Sequence, residues 1–238
     1  MRVKPYVIVR SAVSLDGCLD DVSPIRLILS DAEDLWQRDV MRAECDAIMV
    51  GAGTLRSDNP KLGVHCNENR QRRMRKGLDP DPIRVTLTGS GNLKADWRFF
   101  QERGEKIVYC APETMLHLQS LFPETAGVLV RAYPEPHSTP DFILNDLAQH
   151  GVRRLLIEGG SGLNTLFLSR EGLVDEVVLS IAPFFVGDAG APRFVSPGRF
   201  PDTRDDPLEL VAVEKVGTMA VVRYVRRGIK DSEEAEER

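Results

Sequence analysis

The ten residues Leu155-Leu156-Ile157-Glu158-Gly159-Gly160-Ser161-Gly162-Leu163-Asn164 leave a folding chain few choices. The apolar run is short enough to be a buried strand, a carboxylate closes it, paired glycines turn the chain, and a helix begins. Such a unit belongs to a sheet covered by helices, the α/β class. Glycines permit φ > 0 and close backbone approach to a ligand, and the free N–H groups of a helix start carry partial positive charge suited to a phosphate. The unit is not the full G-x-G-x-x-G fingerprint, and no acidic residue stands at the usual distance on a following strand. A tight turn without a ligand accounts for it equally well.

A second unit of the same kind shifts that balance. Ala47-Ile48-Met49-Val50 is another short apolar strand, and it runs into Gly51-Ala52-Gly53-Thr54. Two such turns at strand ends on one edge of a parallel sheet suit one extended ligand, and a dinucleotide has that shape.

The rest of the chain continues the alternation. Val7-Ile8-Val9 opens a strand, and Ser30 with Glu33 predicts a capping box before a helix through Leu35, Val40 and Met41. Strands are predicted at Ile83 to Thr88, Lys106 to Cys110 and Val128 to Val130, with a helix from Pro112 to Leu121. Thr139-Pro140 starts a helix that Gly151 ends, and the helix after the glycine turn runs toward Gly172. Then come a strand from Glu176 to Ile181, a Pro/Gly-rich loop from Pro183 to Pro201, and two β segments flanking Gly217-Thr218 that read as an antiparallel hairpin. The expected architecture is a mostly parallel central sheet flanked by helices and closed by that hairpin, as a single domain over 1–228. The acidic end is expected to be disordered over 229–238, since from Asp231 to Arg238 its one apolar residue is an alanine.

Composition excludes other classes. With 238 residues, 42% hydrophobic and 28% charged, the chain can bury a full core. No apolar run approaches the ~20 residues that cross a bilayer, and Met1-Arg2-Val3-Lys4-Pro5 does not open a signal peptide, so a cytoplasmic protein with no membrane partner is expected. Four cysteines, Cys18, Cys45, Cys66 and Cys110, form no C-x-x-C pair. His65, His117, His137 and His150 lack ligand spacing, so no metal site is expected. The net charge of −5 argues against nucleic acid. The basic run Arg70 to Lys76 reads as a solvated loop, or as one that attracts a phosphorylated substrate.

Several segments occur together in a telling order: Ser14-Leu15-Asp16-Gly17, Arg42-Ala43, Asp46-Ala47-Ile48, Val50-Gly51-Ala52-Gly53-Thr54, Asp58-Asn59-Pro60-Lys61-Leu62, Glu158-Gly159-Gly160, Gly172-Leu173-Val174-Asp175-Glu176 and Ala182-Pro183-Phe184. From about Tyr6 to Tyr224 the chain resembles the riboflavin-biosynthesis pyrimidine reductase family, the reductase part of the bacterial bifunctional deaminase-reductase, which looks like dihydrofolate reductase in fold. The resemblance implies an NADPH-dependent hydride transfer to C1′ of the ribosylamino group of a small pyrimidine 5′-phosphate, in a homodimer. It implies nicotinamide contacts at Ala12, Thr54 and Asp58. Gly51, Gly53 and Ser90 are further cofactor candidates, and Gly159, Gly160, Ser161, Gly162, Leu163 and Asn164 would hold the diphosphate. Substrate contacts are implied at Arg42, Leu62, His65 and Glu158. An H-x-E and a P-C-x-x-C segment are both absent, so deaminase chemistry is not expected.

The chain departs from the family at Cys18 and His65, where basic residues are common, and at Arg26-Leu27-Ile28-Leu29, where a tryptophan-containing segment is usual. Those departures leave open dihydrofolate or another pterin or pyrimidine as substrate, or a nucleotide-binding protein without turnover. For the chemical step, Asp16, Asp58 and Glu158 are the candidates. Asp16 and Asp58 are equally suited to making turns. A carboxylate closing Leu-Leu-Ile is expensive unless it faces a ligand or a partner, which singles out Glu158.

Overall fold

The computed structural model describes residues 4–123, 127–134 and 139–228; His137 and the acidic end lie outside the described residues. In chain order the elements are β1 (Tyr6–Val13), α1 (Ala32–Glu44), β2 (Ala47–Gly51), α2 (Ala52–Asp58), α3 (Asn67–Arg75), β3 (Ile83–Thr88), α4 (Arg98–Gln101) and β4 (Lys106–Cys110). A 3-10 turn (Pro112–Thr114) leads into α5 (Met115–Leu121), followed by β5 (Val128–Ala132), α6 (Thr139–Gln149), β6 (Arg154–Ile157), α7 (Ser161–Leu168), β7 (Glu176–Ile181), β8 (Glu209–Val216) and β9 (Met219–Val225). Among the described residues no helix is long and apolar enough to cross a membrane.

The strands form one sheet in the order β5-β4-β3-β2-β6-β1-β7-β9-β8. Every pairing from β5 to β7 is parallel, and β9 pairs antiparallel with both β7 and β8, which is the predicted closing hairpin. Alternate side chains of a strand point to opposite faces, and both faces here are covered. Ile8, Ile48 and Leu156 pack with Leu55 and Leu118 on one side. Val7, Val9, Met49, Leu155 and Ile157 pack with Ile143, Leu147 and Phe167 on the other. That double burial is why these strands are continuous apolar runs.

Two local expectations are corrected. The N-cap of α1 is Asp31, not Ser30: the Asp31 carboxylate accepts from the Asp34 N–H at 2.9 Å. The same carboxylate also accepts from the Thr218 backbone N–H at 2.7 Å and hydroxyl at 2.9 Å. A two-oxygen acceptor can cap a helix and anchor the β8–β9 turn together, and a serine hydroxyl is poorly equipped for both. Second, the basic run is largely helical, not a loop, for α3 carries Arg70 to Arg75. Arg73 is buried and donates to the carbonyls of Ala43, Cys45 and Asp79, while Arg70 and Arg72 pair with Asp81 and Glu44. These arginines stitch the end of α1 to α3. Helix α7 stops at Leu168, short of Gly172.

Candidate active site

The position of β6 assembles the site. The chain lays down β2, β3, β4 and β5 outward and then returns to insert β6 between β2 and β1. The two glycine turns, remote in sequence, thereby become neighbours at the carboxyl ends of adjacent parallel strands, where open α/β sheets bind ligands. They are hydrogen-bonded to each other. The Glu158 N–H donates to Met49 O at 2.9 Å, and Gly159 O accepts from the Gly51 N–H at 3.2 Å and from the Thr54 hydroxyl at 3.3 Å.

Gly160 has φ 71° and ψ 151°, a region essentially confined to glycine. A Cβ there would sit 2.8 Å from Thr54 Oγ1. Gly160→Ala is therefore expected to destabilise the fold by about 1–3 kcal/mol from backbone strain alone and to push α2 and α7 apart. The expected result is a lower urea midpoint together with at least tenfold weaker cofactor binding by fluorescence titration. Undiminished binding would show that the approach of the two turns is not needed by the ligand.

Above these turns lies a cleft of about 680 Å³. Gly51, Gly53, Thr54 and Asp58 line it from β2 and α2, Gly160, Ser161, Gly162 and Leu163 from the start of α7, and Ala12 from β1. Leu62, His65, Arg42 and Glu158 complete the set of expected residues found there. Neither α2 nor α7 has a side-chain N-cap hydrogen bond, so two helix starts turn unsatisfied N–H groups toward one space. A shallower pocket of about 290 Å³ continues outward, lined by Arg56, Leu87, Thr88, Gly89 and Ser90 and sharing Gly51, Gly53, Gly162 and Leu163 with the cleft.

Three expected residues line neither the cleft nor the adjoining pocket. Asp16 accepts from Ser14 Oγ at 2.6 Å and from the Val186 and Gly187 N–H groups at 3.0 and 2.8 Å, which drives its carboxyl far below the usual carboxylate range. Its carboxylate anchors the loop after β7. Asn164 is buried, and its Nδ2 donates to Ser11 Oγ at 3.3 Å and Phe194 O at 3.0 Å. Gly159 is buried beneath the turn, its carbonyl engaged as described. Cys18 is buried beside Asp16, so the family position it occupies does not face the cleft in this chain.

Glu158 and Arg42 meet deep in the cleft. Arg42 Nε lies 2.6 Å from Glu158 Oε1 and Nη2 lies 2.5 Å from Oε2, a two-pronged pair, while Arg42 Nη1 donates to Gly63 O at 2.8 Å. The two side chains are 6% and 9% exposed, so this pair is little screened by water. Burial alone would raise the Glu158 pKa, but the charge and hydrogen bonds of Arg42 outweigh it and hold the group at about 2. Glu158 is ionised at neutral pH. It can stabilise positive charge or accept hydrogen bonds, and it carries no proton to give.

Sequence reading missed several cations. Arg10, Arg26, Arg38, Lys61 and Arg98 line the cleft with Arg42, against the carboxylates of Asp20, Asp58 and Glu158. A cleft lined by more cations than carboxylates in a chain of net charge −5 suits an anionic ligand. An arginine ending the apolar run Val7-Ile8-Val9 was the one signal available for Arg10. The basic run of α3 does not line the cleft and so does not stand in for a basic residue at the position of His65. Burial and the charge of Arg42 lower the pKa of His65, leaving it neutral near pH 7.

Comparisons with known proteins show the family and the fold. The family model described as the RibD C-terminal domain matches residues 5–222. A 2,5-diamino-6-ribosylamino-4(3H)-pyrimidinone 5′-phosphate reductase of Archaeoglobus fulgidus is 35% identical over 193 residues, 80% of this chain and 85% of that one. The protein of the same name from Methanothermobacter thermautotrophicus is 32% identical over 232 residues, 95% of this chain and 100% of that one. The solved structure of Acinetobacter baumannii RibD has the same fold, with a TM-score of 0.76 at 22% identity; the match covers 94% of this chain and 58% of that longer one.

Proposed function

Because the chain belongs to the RibD C-terminal domain family, we propose that it is an NADPH-dependent reductase of riboflavin biosynthesis, delivering hydride to C1′ of a ribosylamino-pyrimidine 5′-phosphate to give the ribitylamino product. The observation that carries this reading is the ionised Glu158, held by Arg42 between two uncapped helix starts. The residues present suit the cofactor. The helix starts of α2 and α7 would hold its diphosphate, and Arg56 and Ser90 in the adjoining pocket suit the extra phosphate that separates NADPH from NADH.

When bound, the nicotinamide supplies the hydride. The chain does the rest. As the sugar ring opens, its ring oxygen taking a proton from water to leave as a hydroxyl, C1′ takes on iminium character, and the Glu158 carboxylate stabilises that charge in a buried part of the cleft. Arg42 keeps the carboxylate ionised and oriented, and the cationic rim draws in the phosphorylated substrate.

The test is oxidation of NADPH and of NADH with the ribosylamino-pyrimidine phosphates and with dihydrofolate in parallel. Turnover with a ribosylamino-pyrimidine and NADPH is expected. Turnover with dihydrofolate alone overturns the substrate, and cofactor binding without any turnover points to a binding protein. We also propose a homodimer, since β8 leaves Leu210, Val211 and Val213 exposed at the sheet edge. Light scattering at micromolar concentration is expected to give twice the chain mass, and a monomer rejects it.

A further inference from the structure

Among the described residues, Arg38 lines the cleft with no hydrogen-bond or ion-pair partner for its guanidinium. It stands four residues before Arg42 on α1, about 6 Å along the helix, and lines the cleft beside it. Its Nε is fully enclosed, and among the described residues it makes no hydrogen bond or ion pair. The nearby carboxylates are committed. Glu158 takes Arg42 with both oxygens, and Asp34 Oδ1 accepts from Arg10 Nη2 and from Ser180 Oγ, both at 2.6 Å. Asp39, next in sequence, accepts from the His65 and Cys66 N–H groups and from Asn69.

Three guanidiniums, Arg10, Arg38 and Arg42, therefore share two buried carboxylates, Asp34 and Glu158, with His65 neutral beside them. Asp34 Oδ2 is also unpartnered, and Asp39, the third buried carboxylate, spends its oxygens on His65, Cys66 and Asn69, so among the described residues no carboxylate oxygen is hydrogen-bonded to Arg38. Burial, aided by the charges of Arg42 and Arg10, outweighs the attraction of Glu158 and Asp34 and disfavours the Arg38 cation. A half-buried guanidinium whose Nε is enclosed without an oxygen partner is costly, and the neutral carbonyl of a pyrimidine would offset little of that cost. An anion can offset it.

We propose that Arg38 binds the phosphate of the substrate, with Arg42 and Glu158 one helical turn away at the reacting end of the sugar. The separation along α1 is comparable with the reach of a five-carbon sugar from C1′ to its 5′-phosphate. A planar guanidinium meets phosphate oxygens in pairs, so arginine is a specific choice for this task. The inference rests on the proposed reductase reading for its substrate, and the experiment separates the two.

Arg38→Met keeps the apolar stem and removes the charge; Arg38→Lys keeps the charge and loses the planar fork. KM would be measured for the ribosylamino-pyrimidine with and without its 5′-phosphate, and binding of ribose 5-phosphate and of ribose would be followed calorimetrically in the full chain. In Arg38→Met, KM for the phosphorylated substrate is expected to rise at least tenfold with kcat little changed, and KM for the dephosphorylated one to stay put. Ribose 5-phosphate binding should fall in parallel, and Arg38→Lys should recover part of both. Equal effects on the two substrates, or none, overturn the proposal. If the parent turns over neither substrate, the reductase reading fails, and the ribose 5-phosphate titration still decides Arg38: binding lost in the variant upholds it, and binding unchanged or absent in the parent rejects it. If Arg38→Met does not fold, Arg38→Gln takes its place.

Discussion

Arg42→Met is expected to lose about 3–5 kcal/mol of stability at pH 7, because it strands the Glu158 carboxylate in a buried site. The loss should depend on pH with a definite sign. In the parent, the Glu158 pKa is lowered from its ordinary 4.5 to about 2. A group depressed in the folded state contributes stability that is present above about pH 4.5 and disappears as pH falls through about 2. Without Arg42, burial dominates and pushes the carboxyl upward, opposed only by the more distant Arg38 and Arg10. A group raised in the folded state favours the fold at low pH and penalises it once pH passes its folded pKa. The gap in urea midpoint between parent and variant should thus be widest near pH 7 and narrow toward pH 3. A gap of the same size at every pH would mean that Arg42 acts through its packing and its bond to Gly63 O, and that the ion pair contributes little.

The features legible in the sequence were those encoded locally. Short apolar runs ending in glycine gave β2, β6 and the start of α7, and the hairpin around Gly217-Thr218 was visible because turn residues punctuate it. The cap of α1 was misplaced by one residue because Asp31 is chosen by a partner 187 positions away, Thr218, which no local rule can see. Helix α3 was read as a loop because an Arg-rich segment has no apolar period. It is held by Arg73 and the Asp39–Asn69 contact, and tertiary anchoring of this kind commonly supplies helical stability. The same limit hid Arg38. A lone arginine on an amphipathic helix looks like a solvated side chain, and only the sheet order, with β6 inserted between β1 and β2, shows what faces it. Asp16 and Asn164 illustrate the converse. Both stand in segments the family resemblance marked, and both face the loop after β7, which their hydrogen bonds pin to β1 and α7.

Glu158→Gln is expected to fold, with an unchanged far-UV circular dichroism spectrum, and to lose at least tenfold in kcat, about 1.4 kcal/mol or more of transition-state stabilisation. Glutamine keeps the shape and one acceptor oxygen for Arg42, so the pair is weakened without leaving a void. It removes the negative charge. The cluster of Arg10, Arg38 and Arg42 would then hold Asp34 as its remaining carboxylate, and a site built to welcome positive charge at C1′ would repel it. The penalty belongs to the transition state more than to the bound substrate, because the iminium character develops as the ring opens. So kcat should fall further than KM rises, and cofactor affinity, set by the helix starts of α2 and α7, should stay near the parent value. A lower KM for the phosphorylated substrate in the variant, drawn by the extra positive charge, would leave the assignment intact as long as kcat falls. An unchanged kcat would remove Glu158 from the chemical step and leave it the task of holding Arg42 in place.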